Sequence, residues 1–183
     1  MEIAKRNTKY GLLSLSLHWL IFLLMVAVYF TIEIVEVISK EEPVRDILKL
    51  LHFLLGLSIL ALLVPRLINF LKSVAPNIEP PHSHLQKVLA GFVKFALYVM
   101  MIGMPLSGWL LLGAKGKTVS FLGIGLPMLI GENEYLAWVF NELHELGGTV
   151  GYFLIGLHVL SALLYHYLIK DNTLKRMLPW KTD

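Results

Sequence analysis

The sequence predicts an all-α fold, an integral membrane four-helix bundle with both termini in the cytoplasm. Three observations carry this. Of 183 residues, 56% are hydrophobic and 16% charged, and the mean hydropathy of +0.68 suits lipid as the solvent. Residues 10–32, 95–114 and 146–169 contain no Asp, Glu, Lys or Arg, and 47–71 contains only Lys49 and Arg66, near its ends. At about 1.5 Å per residue, each run is long enough to cross a hydrocarbon core of about 30 Å. Finally, Lys and Arg are distributed unevenly between the two sides of the implied topology.

The elements follow in order within a single transmembrane domain, 1–183. Helix 1 is expected at 11–37; its apolar run is too long for a signal-peptide core and no small-residue cleavage site follows, so it is expected to stay in the mature protein. Helix 2 is expected at 47–71, where the stems of Lys49 and Arg66 can reach the interface. Residues 73–85, with Pro76, Pro80 and Pro81, form an extended link. Helix 3 is expected at 86–112, interrupted by a packing kink at Pro105 between Gly103 and Gly108. Residues 113–135, with Gly123, Gly125, Pro127 and Gly131, are more than a bundle turn needs and are expected to cap one end. Helix 4 is expected at 137–169.

Charge sets the orientation. Lys5, Arg6, Lys9, Arg66, Lys72, Lys87, Lys94, Lys170, Lys175, Arg176 and Lys181 share one side, against Lys40, Arg45, Lys49, Lys115 and Lys117 on the other. The positive-inside rule therefore puts the termini in the cytoplasm of an inner-membrane protein. On the opposite face nine carboxylates (Glu33, Glu36, Glu41, Glu42, Asp46, Glu132, Glu134, Glu142 and Glu145) outnumber five cations. The net charge of +3 thus reports topology and implies lipid, and no nucleic acid, as partner. Cysteine is absent, which excludes disulfides, covalent heme attachment and iron-sulfur ligation. The sequence carries no signal for an oligomeric state.

Four of seven histidines, His18, His52, His144 and His158, fall in the expected spans. Ionisable groups are costly in lipid, so such residues face a bundle interior and point to function. His144 and His158 are fourteen residues apart, about 21 Å of rise and about 40° short of four full turns, so they share a face at two depths. His18 and His158 lie about 10 and 16 Å from one surface, and His52 and His144 about 8 and 10 Å from the other. Each pair can meet across one site, making two stacked sites. Paired neutral imidazoles fill both axial positions of a heme, which favours electron transfer over oxygen binding at the metal. A zinc or copper site fits less well, because two isolated pairs leave coordination unfilled.

Gly11, Gly56, Gly148 and Gly151 stand one or two turns from these histidines, where they suit either clearance for a flat macrocycle or helix packing. Arg66 and Lys49 suit either a heme propionate or a snorkelling anchor. His82 and His84 read as solvated loop residues, and His166 as an interfacial one, with a proton step at a quinone as the sharper option. Trp19, Trp109 and Trp138 read as belt or packing residues.

The ordered set Leu17-His18-Trp19, His52 with Gly56, Met104-Pro105-Leu106-Ser107-Gly108-Trp109, His144-Glu145 and Gly151-Tyr152-Phe153-Leu154-Ile155-Gly156-Leu157-His158, with the tail Tyr165-His166-Tyr167 and Lys170-Asp171-Asn172-Thr173-Leu174, resembles the prokaryotic cytochrome b561 family over nearly the whole chain. The resemblance implies two b-type hemes, one on His18 and His158 and the other on His52 and His144. It also implies an oxidoreductase that takes electrons from superoxide at the periplasmic face and delivers them to ubiquinone. Lys49, Lys115 and Lys117 would then be the catalytic candidates, as the cations able to attract the anion. Two alternatives stand: an electron-relay subunit serving a periplasmic dehydrogenase or hydrogenase, and a heme-free channel or scaffold whose histidines pair by hydrogen bonding.

Overall fold

The computed structural model describes residues 10–73 and 78–178. Lys5, Arg6, Lys9 and Lys181, which contribute to the charge asymmetry, lie outside the described residues, as does Pro76. Four helices are long and apolar enough to cross a membrane: α1 (Leu12–Val37), α2 (Val44–Lys72), α3 (His84–Ala114) and α4 (Glu134–Leu164), the last continuing through a π-helical turn at Tyr165–Ile169. The starts of α2, α3 and α4 lie two or three residues ahead of those read from the sequence. Backbone hydrogen bonding runs past the lipid-soluble stretch into polar first turns such as Arg45-Asp46 and Glu134.

The caps explain where these helices begin. Ser83 and Gln86 form a capping box on α3: the Ser83 hydroxyl accepts from the Gln86 N–H at 3.3 Å and the Gln86 carbonyl accepts from the Ser83 N–H at 2.7 Å. Asn133 caps α4, accepting from the Leu136 N–H at 2.9 Å, and Glu134 adds a negative charge at the positive end of the helix dipole. The run closes at Lys170, in the left-handed region at φ 59°, before a short α5 (Thr173–Met177).

Pro105 does not interrupt α3, which is one helix on both sides of it, and Pro65 is likewise carried inside α2. In a membrane bundle, neighbouring groups satisfy the carbonyl that a proline leaves without a donor. The connection after α3 holds an element not read from the sequence, an antiparallel hairpin of β1 (Val119–Phe121) and β2 (Ile124–Leu126). Its turn residues Leu122 and Gly123 both have positive φ, 52° and 81°, as a tight two-residue hairpin requires. The Trp109 Nε1 donates to the Pro127 carbonyl at 3.1 Å and the Asn133 N–H to the Ala114 carbonyl at 2.9 Å, tying the connection back to α3. Phe121 and Leu126 share an apolar groove with Leu57, Leu60 and Val64 of α2, so the hairpin reaches along the bundle's flank.

The spans form two helical hairpins. α1 packs along α2 and α3 along α4, while α2 and α3 join the pairs. Ile21, Ile59, Leu63 and Met101 make the buried cluster at that junction. Outward-facing Leu23, Phe92 and Phe153 are well exposed, an arrangement that water would penalise and lipid does not. Because lipid offers no hydrophobic gain for helix association, packing and hydrogen bonds between helices carry it. Such bonds include Asn69 Nδ2 to Ser14 Oγ at 2.6 Å and Tyr29 Oη to the Gly148 carbonyl at 3.0 Å.

Candidate heme sites

The structure brings the four span histidines together in two pairs. His18 of α1 faces His158 of α4 with ring centres 6.4 Å apart, and His52 of α2 faces His144 of α4 at 6.0 Å. Both pairs bridge the seam between the helical hairpins, where the α4 backbone does not run close along α1 or α2 and side chains such as Tyr29 reach across to Gly148 and Gly151. A metal midway between two imidazoles, with nitrogen bonds of about 2 Å on each side, sets their ring centres roughly 6 Å apart. Both separations fit that demand. Among the described residues no three His, Asp or Glu side chains converge, so neither pair belongs to a larger cluster of such groups.

Hydrogen bonds prepare one pair in detail. The His52 Nδ1 lies 3.0 Å from the Val28 carbonyl, an acceptor, so the ring proton sits on Nδ1 and Nε2 keeps its lone pair. At His144 the partner is Ser107 Oγ, 2.9 Å from Nδ1; that hydroxyl spends its own proton on the Met104 carbonyl at 2.9 Å and so accepts from the ring. Both rings are thus held in the tautomer that leaves Nε2 bare, the arrangement by which outer partners orient metal-ligating histidines.

The other pair is arranged differently. Arg66 turns inward: its Nη2 donates to the His18 Nδ1 at 2.9 Å, its Nε to the Tyr98 hydroxyl at 3.2 Å, and its guanidinium lies 5.9 Å from the centre of the Tyr98 ring. An Arg donor on Nδ1 places the His18 proton on Nε2. Binding a metal through Nε2 therefore requires Arg66 to find another acceptor, and a propionate carboxylate is one.

The glycines divide. Beside Gly56 nothing approaches within 4 Å of where a side chain would start, so the space there is open. Gly151 is buried, and a side chain on it would strike the Tyr29 hydroxyl and come within 2.7 Å of the Met100 sulfur; Gly147 likewise meets Met104. Gly151 lets helices approach closely. Lys49 is half exposed and 3.7 Å from Asp46, while Lys115 caps α3 and, like Lys117, is exposed. Trp19 donates its Nε1 proton to the Met177 carbonyl at 2.7 Å, fastening α5 beneath α1.

His82 corrects the reading of it as solvated. Its side chain is 8% exposed, its Nε2 donates to Asp171 Oδ2 at 2.7 Å, and its ring lies against Tyr165 with centres 4.6 Å apart and planes tilted by 32°. Asp171 also accepts from the Thr173 hydroxyl at 2.7 Å and the Thr173 N–H at 3.0 Å. Burial alone would raise the Asp171 carboxyl, but the hydrogen bonds from Thr173 and His82 outweigh it and hold the group below the ordinary aspartate value. Paired backbone and side-chain bonds between Glu79 and Asn172, at 3.2 and 3.1 Å, complete a latch from the proline-rich link to the end of α4.

Sequence reasoning missed Ser107, the Val28 carbonyl and Tyr98. Ser107 had a signal, since it stands in the Met104-to-Trp109 motif; the other two depend on helix rotation.

A multi-pass membrane bundle with two facing imidazole pairs in its seam defines a transmembrane heme protein. The family model for prokaryotic cytochrome b561 matches residues 9–180, and the chain belongs to that family, whose members carry out heme-based electron transfer across the bacterial inner membrane. It is 34% identical over 175 residues to a probable superoxide oxidase CybB of Yersinia pestis, covering 96% of this chain and 98% of the relative. It is also 31% identical to cytochrome b561 homolog 1 of Escherichia coli K12, covering 91% of this chain and 94% of that one, and 26% identical to homolog 2 of the same organism, covering 97% and 95%. The heme-based family reading displaces the heme-free scaffold.

Proposed function

We propose that the chain holds two b-type hemes, one on His52 and His144 and one on His18 and His158, and passes electrons from superoxide at the periplasmic face to ubiquinone, with its termini in the cytoplasm. The observation that carries the two-site reading is the pair of ring separations, 6.0 and 6.4 Å, at two depths of one seam. Likeness over nearly the full length to a relative named probable superoxide oxidase supports the donor.

When bound, heme supplies one-electron redox chemistry at each histidine pair. The protein's part is positional. Val28 and Ser107 keep the imidazoles of His52 and His144 in the binding tautomer, and the apolar helices around them exclude water. Lys49, Lys115 and Lys117, three of the five cations of the periplasmic end, would attract an anion locally. Arg66 supplies positive charge beside His18. Two superoxide anions release two electrons and become dioxygen, and one quinone takes up those electrons with two protons to become the quinol. Each electron moved inward works against an inside-negative potential by about 2.3 kcal/mol per 100 mV.

The test is to generate superoxide beside oxidised purified protein and follow heme absorbance. Rapid reduction, abolished by superoxide dismutase and slowed in the K115Q/K117Q variant, is expected; no absorbance change removes superoxide as donor. One observation favours a second reading, an electron-relay subunit for a periplasmic redox partner. The periplasmic face carries nine carboxylates against five cations, and Lys49 already has Asp46 beside it, so the face repels anions at long range. Under that reading superoxide fails and a docked, positively charged donor protein reduces the heme.

A further inference from the structure

Arg176 is out of place by ordinary rules. It lies on α5, at the end of the bundle where α1 begins and α4 closes, and is only 8% exposed, yet its Nη1 has no hydrogen-bond partner among the described residues. A guanidinium is always charged, and a charged donor taken from water without an acceptor is among the costliest arrangements in a folded protein. The neighbouring acceptors are engaged. The Met177 carbonyl takes the Trp19 indole proton, the Asn172 carbonyl takes the Arg176 backbone N–H, and the Asp171 carboxylate is shared by His82 and Thr173. Arg176 is also close enough to Tyr10 for its charge to act on that phenol.

The location narrows what the missing acceptor is. Trp19, which fastens α5 through Met177, adjoins His18, and the His18 and Trp19 rings are 5.6 Å apart. Arg176 therefore lies at the end of the bundle where α1 begins and α4 closes, the end nearer to His18 and His158 than to His52 and His144. We propose that Arg176 is the anchor of an oxyanion site at this end of the bundle, its guanidinium taking a carboxylate or phosphate oxygen. Two sources carry that chemistry: a propionate of the heme held by His18 and His158, and the phosphate of an anionic phospholipid in the same leaflet. The first source rests on the two-heme reading above, and the second does not.

The experiment uses full-length, heme-loaded protein and the variants R176Q, which removes the charge, and R176K, which keeps the charge and loses the fork. In one arm a redox titration follows both hemes. A propionate partner predicts that R176Q lowers one midpoint potential and leaves the other in place, with R176K between. In the second arm, delipidated protein is titrated with phosphatidylglycerol or phosphatidylcholine and bound lipid is counted by native mass spectrometry. A phosphate partner predicts about a tenfold or greater loss of phosphatidylglycerol binding in R176Q, with phosphatidylcholine unchanged. Either result supports the site and names its source. Wild-type potentials and wild-type lipid binding in R176Q overturn it; if R176Q does not accumulate, the same two measurements on R176K decide. Heme-free wild-type protein would sink the two-heme reading while leaving the lipid arm to judge Arg176.

Discussion

A neutral imidazole binds a metal through whichever ring nitrogen its neighbours leave bare, so the partners of Nδ1 matter as much as the histidines themselves. Ser107 is the clearest case, because its hydroxyl proton is committed to the Met104 carbonyl and its oxygen can only accept from His144. Replacing it with alanine should weaken heme retention at the His52–His144 pair by about 10- to 100-fold, with S107T close to wild type. Heme dissociation into apomyoglobin measures this; equal retention in S107A would show that Ser107 does not orient the ring. The pairing of the histidines is legible in the sequence, because depth follows from counting residues along a helix of fixed rise. Their partners are not, since Val28, Ser107 and Tyr98 enter only once the rotation of each helix about its axis is set. Arg66 is ambiguous in sequence for the same reason: counting places it near the end of α2, and only rotation reveals that it turns inward to His18.

Elements show the same division. Long uncharged runs mark the spans, because lipid enforces both length and composition. The hairpin after α3 leaves little trace in the sequence because its strands are three residues each and its turn, Leu122-Gly123, lacks the usual Asn-Gly or Asp-Gly signal. The latch around Asp171 is equally hard to read, because His82 and Asp171 are 89 residues apart. It yields a prediction at this scale. The Asp171 carboxyl lies below its unfolded value of about 3.9, so its contribution is complete above roughly pH 4 and is lost as pH falls through the folded value. D171N should lower thermal stability at neutral pH by about 1–2 kcal/mol. The gap between wild type and D171N should close as the solution is acidified below the ordinary aspartate range. Thermal melts in detergent across pH check it, and a gap that persists at low pH would show that charge on Asp171 is not what the latch uses.

At the scale of the whole molecule, the two helical hairpins leave a seam between them, and α4 sends one histidine into it at each of two depths. Close packing of α3 on α4, as at Gly147 against Met104, holds that hairpin, while side chains span the seam to α1 and α2: Tyr29 at Gly151 between the two levels, and the facing imidazoles above and below it. Heme stoichiometry in wild-type, H158A and H52A protein, by pyridine hemochrome assay with low-temperature spectra, tests the paired sites head-on. Two bis-imidazole sites predict about two low-spin b-type hemes per wild-type chain. Each variant should keep about one, and the two variants should lack spectrally different ones. Colourless wild-type protein, or a heme content untouched by either substitution, would contradict the pairing.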